Sequence, residues 1–362
     1  MCHSESVQPS QLALRRFAPM NVPAPSSIGA AVLSVLLSAC ASAQTVFTGP
    51  DVSRIERARV ERIISTLADD NMRGRQAFTD DALRAAEYLA GEFADAGLVS
   101  PDGADGYLQW FTAPGPTRRA ASAGIDGGAS ATATEQRLVN VVGMIPGRRS
   151  DEYVLFSAHY DHIGIRRAVA GDSIANGAND DASGTTAVVM LGRYFAERGT
   201  PERTLLFAAF TAEERGGLGS RYYSTQLDPD QIVAMFNIEM IGKPAVEGPN
   251  TAWITGFERS SFGRLLQEAV AGTAYEFYPD PYPDQRLFFR SDNATLARLG
   301  VPAHSISTTP IDVDQDYHQV TDHVETLDLE HLTNTIRAIA MGAETIISGA
   351  ATPTRVDLSD GN

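Results

Sequence analysis

The 362-residue chain reads as an α/β protein, a three-layer sandwich around a mostly parallel or mixed central sheet. Two observations predict this class. Short apolar runs of strand type alternate with stretches of helical spacing along most of the chain. Acidic and histidine clusters recur where those apolar runs stop, and in open α/β sheets ligands gather at the carboxyl ends of strands. The composition, 43% hydrophobic and 20% charged, is that of a globular protein and excludes disordered, collagen-like and coiled-coil classes.

The elements follow in order. Ile28 to Leu37 is an apolar run too short to span a bilayer, preceded by Arg15 and Arg16 and followed by small residues. Residues 1–43 therefore read as an export signal. Leu37-Ser38-Ala39-Cys40 resembles a bacterial lipobox, in which Cys40 would be lipidated; the rival is cleavage after Ala41-Ser42-Ala43. The expected location is outside the cytoplasm: periplasmic, with Cys40 as a membrane anchor if it is lipidated, or secreted. Residues 51–350 read as one domain, with 351–362 as a C-terminal tail.

Within that domain, Asp51 to Ala68 has apolar residues at helical spacing. Thr79 caps a second helix, Ala82 to Gly97. Residues 112–137, rich in Gly, Ala, Ser and Thr, read as a surface loop. Strands are predicted at Leu138 to Met144, Glu152 to Ala158, Arg203 to Phe210, Ala252 to Thr255 and Val301 to Ser307. Gln231 to Met240 reads as a helix-to-strand stretch. Helices are predicted at Ser183 to Ala196, Ser260 to Val270, Asn293 to Leu299 and, as one long element, Leu329 to Ile347.

The net charge is −16, from 29 basic and 45 acidic residues, which disfavours a nucleic-acid partner. The only cysteines, Cys2 and Cys40, lie in the leader, so any metal in the body must be held by His, Asp and Glu.

Candidate donors stand at the strand ends: Ser157-Ala158-His159-Tyr160-Asp161-His162, Thr211-Ala212-Glu213-Glu214, Asn237-Ile238-Glu239-Met240 and Asp316-Tyr317-His318. Between the first two lies the glycine-rich acidic turn Asn176 to Gly184. Imidazole and carboxylate without thiolate suit zinc in a catalytic setting. Two metals about 3.5–4 Å apart need a bridging carboxylate, and a further carboxylate must take the proton of the attacking water. The adjacent pair Glu213-Glu214 can supply one base and one ligand.

These motifs, with Asn71-Met72-Arg73-Gly74-Arg75 and Asn140 to Gly147, resemble the di-zinc aminopeptidase family typified by the secreted Vibrio and Streptomyces enzymes. That family also includes glutamate carboxypeptidase II and glutaminyl cyclases. The resemblance spans roughly Ile55 to Ile347 and implies a phosphorylase/hydrolase-like zinc exopeptidase fold holding two Zn²⁺. It implies that His159 and Glu239 bind one zinc, Glu214 and His318 the other, and Asp180, rather than the adjacent Asp181, bridges them. Glu213 would be the general base. Asp161 would orient His159 through a hydrogen bond, and Tyr317 would stabilise the oxyanion. Ser291-Asp292-Asn293 resembles a family segment near the substrate pocket, so Arg290 and Asp292 are candidate substrate contacts. His162 and His304 read as structural or as supports behind the ligands. The family usually has Asp where this chain has Glu239, which puts the geometry of that subsite in question.

The implied activity is removal of N-terminal residues from peptides. A carboxypeptidase would instead want a basic clamp, for which Lys243 and Arg290 are candidates. A one-zinc acyltransferase of glutaminyl-cyclase type and a non-catalytic binding domain are the further alternatives.

Overall fold

A computed structural model describes residues 50–115 and 134–359. The expected export signal, Cys40, the centre of the 112–137 loop and residues 360–362 lie outside the described residues. Eight strands form one sheet: β1 (Leu108–Pro114), β2 (Glu135–Ile145), β3 (Arg149–His159), β6 (Arg203–Phe210), β7 (Ile232–Ile238), β8 (Thr251–Ile254), β9 (Glu276–Pro279) and β10 (Ala303–Ser307). A separate hairpin is made by β4 (Gly164–Val169) and β5 (Asp172–Ala175). The sheet order is β1-β2-β6-β3-β7-β10-β8-β9. β6, β3, β7 and β10 are mutually parallel in the centre, while β1, β2 and β8 supply antiparallel pairings. The sheet is therefore mixed with a parallel middle, as expected.

The central strands are apolar on both faces, which requires cover on both. Val154, Phe156, Phe207 and Phe236 face a core made with α1 (Arg57–Leu67), α2 (Asp80–Asp95), α3 (Gly184–Ala196), α5 (Phe262–Val270) and α7 (Leu329–Gly342). Leu155, Leu206 and Met235 face the opposite side, where Tyr223 of α4 (Leu218–Ser224) and Leu296 of α6 (Ala294–Ala297) complete the third layer. The Phe156 ring packs 4.9 Å from Phe236 and 5.4 Å from Phe207, centroid to centroid, directly beneath the strand ends that carry the site.

Several boundaries differ from the sequence reading. The expected loop 112–137 is strand at both ends, because Thr112 pairs with Arg137 and Pro114 with Glu135 in the β1–β2 ladder. Gln231 to Met240 is strand without a helical half. The long C-terminal helix breaks at Ala343 into α7 and α8 (Glu344–Ile347). Residues 351–359 pack onto the body: Val356 is buried, and Arg203 hydrogen-bonds Ala351 O at 2.8 Å and Thr352 Oγ1 at 2.6 Å. Among the described residues, no helix is long and apolar enough to cross a membrane.

Candidate metal centre

The four parallel strands end on one edge, and each delivers a donor there. His159 is the last residue of β3. Glu213 and Glu214 follow β6, Glu239 follows β7, and the chain leaving β10 returns as Tyr317-His318. Asp180 comes from the turn that opens α3. The peptide between Asp180 and Asp181 is cis. Left-handed backbone at non-glycine residues clusters on this edge: Ala212 (φ 58°), Met240 (φ 52°) and His318 (φ 58°). Such conformations cost energy and are held in place by surrounding structure.

Asp180 stands between two groups of donors. Its Oδ1 lies 3.3 Å from His159 Nε2, which is 3.2 Å from Glu239 Oε1. Its Oδ2 lies 3.2 Å from His318 Nε2, which is 3.1 Å from Glu214 Oε1. The structure thus brings His159, Asp180, Glu214, Glu239 and His318 to one place, with Asp180 shared. Asp180 Oδ2 and Glu214 Oε1 are buried without a hydrogen-bond partner, although imidazole nitrogens approach within 3.2 Å. On the His318 side, nitrogens and oxygens that close, yet not aligned for N–H···O bonding, suit lone pairs converging on a cation, while on the other side the His159–Glu239 contact has hydrogen-bond geometry. In tetrahedral zinc, ligand bonds of 2.0–2.2 Å place neighbouring donors about 3.3 Å apart. The residues present therefore fit a divalent metal on each side of Asp180.

Electrostatics agree with the crowding. Burial acts to raise the carboxyl pKa of Glu214, but the His162 and His318 rings outweigh it and hold it at about 2. Burial opposes ionisation of Asp180 too, yet His162, His159 and His318 keep it far below the usual carboxylate range. The neighbouring Asp180 and Glu214 carboxylates push His318 up to about 10. Burial pushes Glu213 well above the ordinary range, with Asp292 and Glu239 adding to it against His159.

Two roles differ from expectation. Asp161 orients His159 through its backbone carbonyl, 3.0 Å from Nδ1, and not through its carboxylate, which is 3.9 Å away. The carboxylate is engaged elsewhere: its Oδ1 accepts the Glu213 N–H at 3.0 Å. Asp292 does not reach the substrate cavity. It is 1% exposed behind the wall, its carboxylate turned toward Ser220 and Gly217.

Asp181 and His323, the neighbours that could be confused with ligands, point elsewhere. Asp181 Oδ1 accepts the N–H groups of Gly184 (3.0 Å) and Met240 (2.9 Å). His323 pairs with Asp172 at 3.1 Å. Glu239, the departure from the usual Asp, is steadied by Ser291, whose hydroxyl donates to Oε2 at 2.5 Å and accepts from Asn237 Nδ2 at 2.8 Å.

Asp322 and Arg75 escape the sequence reading as site residues, and His162 reads there only as structural or supporting. Asp322 accepts the backbone N–H groups of Asn179 (2.9 Å) and Asp180 (3.1 Å), fixing the bridging carboxylate from below. Arg75, fully buried, donates to the carbonyls of Leu67, Tyr160, Asn176 and Gly177 at 2.5 to 2.9 Å. It locks the end of β3 against the turn that carries Asp180, which gives the upstream Asn71-to-Arg75 motif a physical role. His162 lies against Glu214 with Nδ1 3.0 Å from Oε1; its spacing in the His-x-Asp-His run was the available signal.

A cavity of about 300 Å³ opens over the donors. Glu213, Tyr317 and Arg290 line it, with Met240, Trp253, Leu287 and Ile311 as apolar wall. Tyr317 stacks on His318 at 4.0 Å, and burial raises its phenol pKa, so the hydroxyl keeps its proton. Lys243 is taken up by Asp314 (2.5 Å) and Asp316 (2.7 Å) and does not line the cavity.

Residues 140–343 match peptidase family M28. Leucine aminopeptidase 1 of Trichophyton rubrum is 28% identical over 205 residues, covering 53% of this chain and 54% of that protein. The chain thus spans about half the length of the curated relatives it matches. Two solved structures share the fold. A zinc aminopeptidase from Bacillus subtilis superposes with a TM-score of 0.65 at 16% identity, over 85% of this chain and 99% of that one. A glutaminyl cyclase from Bacteroides thetaiotaomicron gives 0.57 at 16% identity, over 82% and 99%. At such identities the likeness concerns the fold alone. The family match covers more than half of the chain and includes the segments that carry every candidate donor, so the chain belongs to peptidase family M28.

Proposed function

We propose that the protein is a two-zinc aminopeptidase that hydrolyses the N-terminal peptide bond of peptides. The observation that carries this reading is the pair of donor groups sharing Asp180, with Glu213 half-buried at the cavity wall beside them. His159 and Glu239 would hold one ion, Glu214 and His318 the other. Bound zinc supplies Lewis-acid polarisation of the scissile carbonyl and lowers the pKa of water.

The chain's own groups do the rest. The Glu213 carboxylate takes a proton from the attacking water and delivers it to the leaving amine. Tyr317, protonated and facing the cavity, donates its hydroxyl to the carbonyl oxygen as charge develops there. The carboxylate-rich side near Glu239 receives the substrate's free ammonium. Met240, Trp253, Leu287 and Ile311 take the side chain and exclude water. Engagement of Lys243 by two aspartates removes one of the two cations that a carboxylate clamp would use, which favours the amino- over the carboxypeptidase reading. Export by the leader expected at residues 1–43 would have the enzyme act on environmental or periplasmic peptides, with membrane attachment only through Cys40.

The test is Glu213→Gln assayed on aminoacyl-nitroanilides, with metal content measured in parallel. Loss of about 10²–10⁴ in kcat with metal retained is expected for a general base. Full activity in the variant overturns the assignment. Cyclisation of N-terminal glutamine without peptide hydrolysis would favour the acyltransferase alternative.

A further inference from the structure

We propose that His162 is a direct ligand of the metal held by Glu214 and His318, so that this subsite has four protein donors and the other three. The inference rests on the reading of Asp180, Glu214 and His318 as ligands. It goes beyond that reading, in which His162 is only structural or a support behind the ligands.

Three independent observations carry it. The first is proximity: His162 Nδ1 lies 3.0 Å from Glu214 Oε1 and 3.8 Å from Asp180 Oδ2. These separations bracket the spacing of about 3.3 Å expected between donors on a tetrahedral zinc. Its ring also stands 5.8 Å from that of His318, centroid to centroid, on the same pair of oxygens.

The second is an unmet valence. The His162 side chain has no exposed surface, and neither ring nitrogen has a hydrogen-bond partner. A neutral imidazole carries one N–H donor and one lone pair. Leaving a buried polar group unpaired is costly, because its hydration is lost and not replaced. The approach to Glu214 Oε1 is short but not aligned for a hydrogen bond, so the carboxylate oxygen is orphaned as well. A cation between them satisfies Nδ1 and Oε1, with the ring's proton then on Nε2.

The third is the structure built around the ring. Gly177 has a φ of +57°, and a Cβ there would stand 2.4 Å from His162 Cγ. The Asp180 carbonyl oxygen would stand 2.3 Å from the same Cβ, so glycine here admits the tight turn and the ring together. Arg75 then bonds Tyr160 O at 2.6 Å and Gly177 O at 2.9 Å, pinning the chain on both sides of it. An imidazole held this firmly toward two carboxylates suits a ligand better than a space-filling side chain.

The decisive experiment is X-ray absorption on the zinc-loaded wild-type chain together with zinc titration. Two equivalents of zinc sharing three imidazoles is the expected result. Two equivalents sharing only two imidazoles overturns the proposal and leaves the two-zinc reading intact. A wild-type chain that takes up a single equivalent overturns the two-zinc reading and the proposal with it. His162→Gln gives a second readout by competition with a chromophoric chelator. One equivalent should weaken by more than about 100-fold, beyond the 10–100-fold typical of a hydrogen-bond partner behind a ligand. The other should hold, and the imidazole count should fall by one. An unchanged count in the variant overturns the proposal.

Discussion

The Asp161 carboxylate accepts the backbone N–H of Glu213 at 3.0 Å, while the same residue's carbonyl stands 3.0 Å from His159 Nδ1. One residue at the end of β3 thus sets the position of a candidate ligand and of the proposed base on the neighbouring strand. Asp161→Ala should cost about 10- to 100-fold in kcat with the two zincs still bound, since the His159 contact uses the main chain. Asp161→Asn keeps an acceptor oxygen and should cost less than tenfold. Equal losses in the two variants would show that charge, and not the hydrogen bond to Glu213, is what matters.

Glu239 depends on Ser291. The longer side chain, where the family usually has Asp, reaches both His159 Nε2 at 3.2 Å and the Ser291 hydroxyl at 2.5 Å. Ser291→Ala should weaken zinc at the His159 side by about 10- to 100-fold, measured by chelator competition. Glu239→Asp should do the same despite restoring the more usual residue, because the shorter chain withdraws from Ser291. Stronger binding in Glu239→Asp would contradict the idea that serine and glutamate act as a matched pair.

Among the described residues Arg75 is one of the largest fully buried side chains, and its guanidinium bonds four carbonyls from three segments. Hydrogen bonds of a charged group contribute about 1.5–3 kcal/mol each. Lysine keeps the charge but lacks the planar fork. Arg75→Lys is expected to lose at least about 3 kcal/mol of unfolding free energy in a denaturant titration and to weaken metal binding, because Gly177 and the Asp180 turn are released. A variant with wild-type stability would refute the locking role.

Much of the fold and the candidate site was legible because apolar strands write their own ends: Phe156 then His159, Phe210 then Glu213, Phe236 then Glu239. The elements that were missed carry weaker signals. β4 is almost wholly exposed, Ile165 and Val169 included, so it lacks a buried face, and β5 and β9 are only four residues long. Arg75 and Asp322 could not be read as site residues, since they act on backbone groups about 100 and 140 positions away in the chain. Asp161 and Asp292 were recognised as site-associated while the atoms they use were not. A carboxylate that turns toward a neighbouring strand, or behind a wall, leaves no trace in spacing.

Metal removal should lower stability. Asp180, Glu213, Glu214 and Glu239 converge in one partly enclosed space, and Asp180 Oδ2 and Glu214 Oε1 lack partners there. A ligand that binds only the folded state adds about 4 kcal/mol at a thousandfold excess over Kd. Chelation is expected to lower Tm in differential scanning calorimetry and zinc to restore it, with magnesium ineffective because the site offers imidazole as well as oxygen. A melting temperature indifferent to chelator would remove the metal reading.

His304 gives a pH dependence unconnected with the metals. It lies fully buried in β10, stacked at 4.9 Å on Phe262, with Nδ1 2.8 Å from Thr255 O and Nε2 2.7 Å from the Ser260 hydroxyl. The carbonyl requires a proton on Nδ1, so Nε2 accepts from Ser260 and the ring is neutral. Burial pushes its pKa down to about 4, Thr255 O opposing and Arg259 assisting. The unfolded chain, near 6.5, takes up a proton first as pH falls. Its contribution to stability is therefore complete above about pH 6.5 and is lost as pH falls toward 4. The loss over this window amounts to about 3 kcal/mol. Between pH 7 and pH 5 the urea midpoint should fall more, or rise less, in the wild type than in His304→Gln, which is less stable at pH 7; buried carboxyls such as Asp161 and Asp292, pushed up to about 7 and about 6, act in the opposite sense in both chains, and His331, whose pKa burial also lowers to about 4, acts alike in both. An unaltered slope in the variant would mean that His304 is protonated in the folded state, and its hydrogen bonds would then have to be reassigned.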